Sequence, residues 1–297
     1  MRRLIADQFP PWAHKTVTRV NSSGTDNAMY RLGDDLAVRM PRVEWAAKYV
    51  DREHAWMAVL EPHLTVPIPT PLAQGTPAYG YPWNWNVCPW LPGQTPTSNH
   101  LHDPTNHAEA AQLATDLARF VDALHDIDHA AQPDAPRAWR GAPLRTRNAP
   151  TLEAIAALQT INQQRPDLGT IDTDTVTTVW RAALASPEYD GPPVWLHADL
   201  APGNLLCNYG QLSAVIDFGL MGTGDPAVDY IVAWNLLPPH AREVFKRESK
   251  VDDNTWARAR GWALSMSLIV IPYYLDTNPT LVAISRHVIT QILAETT

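Results

Sequence analysis

The stretch LHADLAPGNLLCNYGQLSAVIDFG, Leu196 to Gly219, decides how this chain is read. The apolar run Val194-Trp195-Leu196 leads into His197-Ala198-Asp199, and Pro202-Gly203 force a loop before Asn204. Leu205-Leu206-Cys207, the turn residues Asn208-Tyr209-Gly210 and the run Leu212 to Ile216 then predict a β-hairpin. Symmetric pairing aligns Leu205 with Ile216 and brings Asn204 and Asp217 to the open end of that hairpin. An amide oxygen and a carboxylate so placed suit Mg²⁺, which takes hard oxygen ligands and is held by one or two protein groups when phosphate oxygens supply the rest. Asp199 lies on the same loop, five residues before Asn204, where it can receive a hydroxyl proton. A metal that neutralises phosphate charge and a carboxylate that orients a nucleophile are recurring parts of phosphoryl transfer.

The pattern H-x-D-x-x-x-x-N followed by I-D-F-G is met here as His197, Asp199, Asn204 and Ile216-Asp217-Phe218-Gly219. It resembles the catalytic loop and DFG elements of protein kinases, and more closely those of the aminoglycoside phosphotransferase family. The resemblance implies an α+β chain with a protein-kinase-like two-lobed fold, a small antiparallel sheet in the N-lobe and a mainly helical C-lobe. It also implies Asp199 as catalytic base, Asn204 and Asp217 as Mg²⁺ ligands and His197 as a brace for the loop. The extension Gly224-Asp225-Pro226-Ala227-Val228-Asp229 is similar to the family as well, and Asp229 is the better candidate for tying the loop to the following helix. Asp225 before Pro226 reads equally as a charge at a helix start.

In the family a basic residue on the third strand grips the donor phosphates and pairs with a glutamate on the next helix. Leu36-Ala37-Val38-Arg39-Met40 matches that strand, with Arg39 where kinases place lysine, and Glu53 lies on the predicted helix. Arginine stays charged and grips phosphate oxygens with a planar fork, so the electrostatic role survives the change. Asn21-Ser22-Ser23-Gly24-Thr25-Asp26-Asn27 stands where a phosphate-covering loop belongs, with Ser22, Ser23 and Gly24 as donors. It has neither GxGxxG nor Walker A spacing, and an ordinary hairpin turn explains it as well. The carbonyl of Pro89 and the N–H of Leu91 are the expected contacts to the base of ATP or GTP. Trp83, Trp85 and Trp90 either stack there or pack the lobe.

Working outward, short β-rich runs at Thr16-Val20, Ala28-Leu32 and Leu36-Met40 alternate with turn residues, as in an antiparallel meander. A helix from about Val43 to Leu60 follows, with Val50, Met57 and Leu60 at helical spacing and Pro62 stopping it. Leu113, Leu117, Phe120, Val121 and Leu124 form an amphipathic stripe on a helix that should be the spine of the second half. A polar, proline-rich stretch from Gln132 to Pro150 precedes helices near Thr151-Asn162 and Asp174-Ala185, and the tail reads as helical. Leu91-Pro92-Gly93 is the natural hinge, which divides the chain into an N-lobe of residues 1–91 and a C-lobe of residues 92–297.

The length of 297 residues, 45% hydrophobic and 18% charged, fits a folded chain with a sizeable core. A net charge of -8 opposes nucleic acid and anionic membranes as partners and fits a cationic or neutral substrate better, although an acidic surface equally serves solubility; the acceptor expected is a small molecule, cationic for preference. Cys88 and Cys207 show no ligand spacing. The N-terminus has no signal-like apolar core and the run Trp262 to Leu275 is too short to span a bilayer, so a cytoplasmic protein is expected. By resemblance the acceptor is bound in the helical half, where Asp225, Trp234, Tyr273, Tyr274 and Asp276 are candidates, beside Glu243, Asp252 and Asp253. The reaction expected is phosphate transfer from a nucleoside triphosphate to a small hydroxylated molecule, an aminoglycoside-like antibiotic first. A cellular amino alcohol or sugar as acceptor, and a pseudokinase scaffold, are the alternatives. Oligomeric state is left open.

Overall fold

A computed structural model describes residues 1–20, 26–130 and 132–295, and these fall into two compact units. The first comprises Met1–Gln94 together with Asn204–Leu220; the second comprises Thr95–Gly203 and Met221–Thr297.

In the first unit, α1 (Arg2–Gln8) precedes the strands β1 (Val17–Arg19), β2 (Asn27–Leu32) and β3 (Leu36–Pro41). Then come α2 (Glu44–Leu60), β4 (Ala73–Gly75) and β5 (Trp85–Pro89), and the sheet order is β1-β2-β3-β5-β4, antiparallel throughout. The two faces of this sheet do different work because side chains alternate along each strand. Leu36, Val38 and Met40 of β3 join Trp85, Val87 and Leu32 in an apolar cluster with Leu4 and Ile5 of α1. The residues between them, Ala37, Arg39, Asn86 and Cys88, turn to the other face, where α2 packs on β3 and β5. The buried residues of α2 are Ala46, Val50, Glu53, Met57 and Leu60, so its one acid on that stripe is buried with the apolar side chains.

The chain continues with β6 (Val194–Leu196), β7 (Leu205–Asn208), β8 (Gln211–Val215) and β9 (Gly222–Gly224). The hairpin β7-β8 packs with the first unit rather than with the residues that flank it in sequence, unlike the expected division at Leu91. Val215 N donates to Pro67 O at 3.2 Å, Ser213 Oγ donates to Pro92 O at 3.3 Å, and Gln94 and Cys207 exchange backbone bonds of 2.9 and 2.8 Å. The pairing at its open end is one residue off the symmetric expectation, with Leu205 opposite Val215 rather than Ile216. Two causes act. The turn is a tight two-residue one, Tyr209-Gly210 with φ of 51° and 77°, and an irregularity between Leu206 and Cys207 absorbs one extra residue on β8.

The second unit is helical apart from the pair β6-β9. Its helices are α3 (Ser98–His102), α4 (His107–His125), α5 (Asn148–Gln164), α6 (Thr173–Ala185), α7 (Val232–Asn235), α8 (Pro239–Glu248), α9 (Asp253–Tyr274) and α10 (Pro279–Ala294). All five residues of the predicted α4 stripe are buried, each large one stabilising by about 1.5–3 kcal/mol relative to exposure. Asp252 caps α9 by accepting from Asn254 N and Thr255 N. Along α9, Gly261 admits its neighbours: a Cβ there would lie 2.6 Å from Leu144 and 2.8 Å from Ala183. No described helix is long and apolar enough to cross a membrane.

Candidate active site

Arg39 links three elements of the first unit. Its Nη1 is bonded to the Glu53 carboxylate and its Nη2 to Asp217 Oδ1, so one guanidinium joins strand, helix and hairpin. With its amide oxygen turned to the guanidinium, Asn27 on β2 accepts from Arg39 Nε and Nη2 at 3.1 Å each. Glu53 is 2% exposed. Burial pushes its carboxyl up, to about 7, against the pull of Arg39, while neighbouring Asp217 adds to the rise. Burial alone would lower Arg39, but Glu53 and Asp217 outweigh it and hold the guanidinium charged. Burial also pushes the Cys88 thiol up, to about 12, which leaves it a neutral packing residue.

Asn204 and Asp217 meet at the mouth of the hairpin, although by a different register from the one expected. Ile216 N donates to Asn204 O at 2.9 Å, so Asn204 is opposite Ile216 and Asp217 is the next residue out. Asp217 has φ of 66°, in the left-handed region that non-glycine residues seldom occupy and that is concentrated at functional sites. Gly219 lies against Arg39, Asp217 and Tyr49, each 3.5 Å from where its Cβ would be. An amide oxygen and a carboxylate, both hard donors fixed on adjacent backbone, fit Mg²⁺.

Just past β5, Trp90 N donates to Asp35 O at 2.8 Å, so the pair Leu36–Pro89 next to it is the non-hydrogen-bonded one. The missing N–H of Pro89 therefore costs nothing, and its carbonyl is directed away from β3. Trp85 is core, and Arg31 lies over the Trp90 ring at 4.7 Å. Ser22, Ser23 and Gly24 lie outside the described residues.

In the second unit, β6 delivers His197-Ala198-Asp199 into a set of anchors. Asp229, wholly buried, accepts from His197 N at 3.0 Å and Ala198 N at 2.7 Å, and its Oδ2 lies 3.2 Å from His125 Nε2 at the end of α4. Ala198 has φ of 64°, and the two bonds to Asp229 hold it there. His197 is also fully buried, and its Nδ1 accepts from Asp199 N at 3.2 Å. Arg140 completes the set: its Nη1 donates to Ala198 O at 3.1 Å and to the Asp199 carboxylate.

Two of the acceptor candidates are interior residues. Asp225 is 6% exposed and forms a buried two-point pair with Arg258, at 2.9 and 3.2 Å, while accepting from Ala227 N; its role is the helix-start charge. Trp234 is fully buried, with Nε1 donating to Glu295 Oε2 at 3.0 Å. The surface retains Tyr273 and Asp276, the latter 3.6 Å from Arg165, with Tyr274 half-buried against Tyr273. Sequence reasoning missed Arg140, His125 and the role of Asn27. His125 closes the α4 stripe and was the easiest to find; Arg140 stands in an aperiodic proline-rich stretch without a local signal.

The model of the phosphotransferase enzyme family matches residues 17–262. The chain belongs to that family. Among solved structures, the GDP and kanamycin complex of APH(2")-IIia is similar at 19% identity, covering 99% of this chain and 98% of that one, with a TM-score of 0.73. The streptomycin and ATP ternary complex of APH(2")-IIa is 20% identical over 93% and 92%, TM-score 0.62. The macrolide 2'-phosphotransferase MphH from Brachybacterium faecium is 21% identical over 93% and 91%, TM-score 0.58. They share the α+β kinase-like fold. No curated protein sequence matches the chain.

Proposed function

We propose that this phosphotransferase moves the terminal phosphate of ATP or GTP to a hydroxyl group of a small molecule, an aminoglycoside-like antibiotic being the first acceptor to try. The observation that carries the reading is the anchoring of Asp199 by His197, Asp229 and Arg140 on a loop that leads directly into Asn204. The acceptor oxygen attacks the γ-phosphorus, the bond to the β,γ-bridging oxygen breaks, and the acceptor proton passes to Asp199. A phosphate ester and a nucleoside diphosphate result. Arg39 holds the donor phosphates, Glu53 and Asn27 hold Arg39, and the Pro89 carbonyl with the Leu91 N–H receive the base. Asn204 and Asp217 would hold Mg²⁺, which supplies charge neutralisation on the phosphates.

The net charge of -8 supports a cationic acceptor. The antibiotics named in the similar structures support the choice of panel: kanamycin, streptomycin and macrolides. With Asp225 and Trp234 in the interior, Tyr273, Tyr274 and Asp276 remain the proposed acceptor contacts. The test is a phosphotransfer screen of antibiotics, amino alcohols and sugars with both nucleotides, in parallel with Asp199→Ala. The expected result is a product with one antibiotic and a rate at least 100-fold lower in the variant. Full transfer by Asp199→Ala would overturn the assignment of the base. Transfer to a cellular amino alcohol alone would move the acceptor class while keeping the reaction.

A further inference from the structure

Arg140 meets Asp199 across 59 positions of sequence, and it does so from a turn that the rest of the unit fixes in place. The residues Trp139–Gly141 form a single 3-10 turn. Ala138 N donates to Thr223 O at 3.1 Å, and Thr223 N donates to Pro136 O at 2.7 Å, which joins the approach to this turn to β9. On the far side, Asp225 N donates to Gly141 O at 2.9 Å. Gly224 and Gly141 approach so closely that a Cβ on Gly224 would lie 2.5 Å from the Gly141 carbonyl oxygen and 2.6 Å from its Cα. The guanidinium therefore starts from a backbone held on one side by Thr223 of β9 and on the other by Asp225, the residue after it. It ends on two atoms of the catalytic tripeptide, the Ala198 carbonyl and the Asp199 carboxylate.

The partition of anchors around this tripeptide is telling. Asp229 takes the N–H groups of residues 197 and 198, and His197 takes the N–H of residue 199. These bonds fix backbone only. A carboxylate on such a backbone can still rotate about its side-chain torsions, and proton transfer demands hydrogen-bond reach to the acceptor hydroxyl. Arg140 grips the Asp199 side chain itself. Its second bond, to the carbonyl of the left-handed Ala198, ties that grip to the strained residue of the loop. Trp139, with the Arg140 guanidinium 5.1 Å from its ring centroid, limits where that guanidinium can swing.

We infer that Arg140 is a positioning residue for the phosphotransfer reaction: it sets the orientation of the Asp199 carboxylate from the fixed turn Trp139–Gly141. The inference rests on the reading of Asp199 as base. Losing such a contact affects the proton-transfer step, since Arg140 touches the carboxylate of the proposed base. A misplacement of a reacting group by about 1 Å can cost on the order of 100-fold in rate.

The experiment compares Arg140→Ala, Arg140→Lys and Arg140→Gln with the parent, and repeats Arg140→Ala in an Asp199→Asn background. Turnover of MgATP and MgGTP is followed with kanamycin and with water as acceptor, and thermal midpoints are recorded for each variant. The expected result is a kcat about 10- to 100-fold lower in Arg140→Ala, with the nucleotide KM within twofold. Arg140→Lys should recover part of the loss, added guanidinium ion should recover part of it in Arg140→Ala, and the substitution should have no further effect once Asp199 is Asn. If Arg140→Ala fails to fold, Arg140→Lys and Arg140→Gln carry the same comparison, with Gln the lower in kcat. A kcat within twofold of the parent in the Arg140 variants, while Asp199→Asn is slowed at least 100-fold, would overturn the inference and leave the base assignment standing. An equal loss in both backgrounds would also overturn it, because the effect would then not pass through Asp199. A fully active Asp199→Asn enzyme would instead overturn the reading beneath it.

Discussion

Glu53 shows how one buried carboxyl couples to pH. Its ordinary value of 4.5 is raised to about 7, first by burial and further by Asp217, with Arg39 opposing. From about pH 4.5 to about pH 7 the unfolded chain has released this proton while the folded chain retains it. The folded state thus binds more protons, and the contribution of this group to stability falls as pH rises through that window. Glu53→Gln keeps the shape and removes the titration. Its thermal midpoint, measured against the parent, should climb relative to it from about pH 4.5 to about pH 7; parallel curves would contradict the assignment. Glu53 was legible through likeness to the family, which places a glutamate on the helix after the third strand, and that helix was read from Val50, Met57 and Leu60. Arg140 was not, because its partner is remote and its own surroundings have no period. Asp229 was expected as a support by likeness to the family, but its bonds to two successive N–H groups no spacing could reveal.

At the scale of elements, the hairpin β7-β8 carries a mismatch between residue and conformation. Its turn needs positive φ at both central positions, and Tyr209, fully solvent-exposed at φ of 51°, is a poor occupant beside Gly210. Tyr209→Asn creates the favoured Asn-Gly turn and should stabilise the protein by about 0.5–1 kcal/mol. A thermal midpoint that fails to rise would show that the aromatic ring supplies something the turn geometry does not. This hairpin was foreseen from the turn residues Asn208-Tyr209-Gly210 between two apolar runs. Its register was not, since the choice between a two-residue and a longer turn, and the one-residue irregularity on β8, depend on how the strands pack against Pro67, Pro92 and Gln94. Helices were read to within a few residues where their stripes were long, as in α4, whereas α1 has only Leu4 and Ile5 to bury and showed no period.

At the scale of the molecule, the first unit is discontinuous: residues 1–94 are completed by residues 204–220. The first segment ends at Gln94, and nothing local to Asn204 or Leu220 could announce the other two crossings. A fragment of residues 1–94 lacks the hairpin bonds to Pro67, Pro92 and Gln94 and the Asp217 contact of Arg39. Amide hydrogen exchange at β5 should be at least tenfold faster in that fragment than in the whole chain, and supplying residues 204–220 through a flexible linker should restore protection. Equal protection in the bare fragment would show that the sheet and α2 suffice.

The discontinuity also has a consequence on the ribosome. After Gln94 emerges, the whole span Thr95–Gly203 must be synthesised before the hairpin becomes available, on the order of 5–20 s at usual elongation rates. During that interval the nascent sheet waits with Arg39 lacking its third-element partner, so the part of the chain made first is finished late.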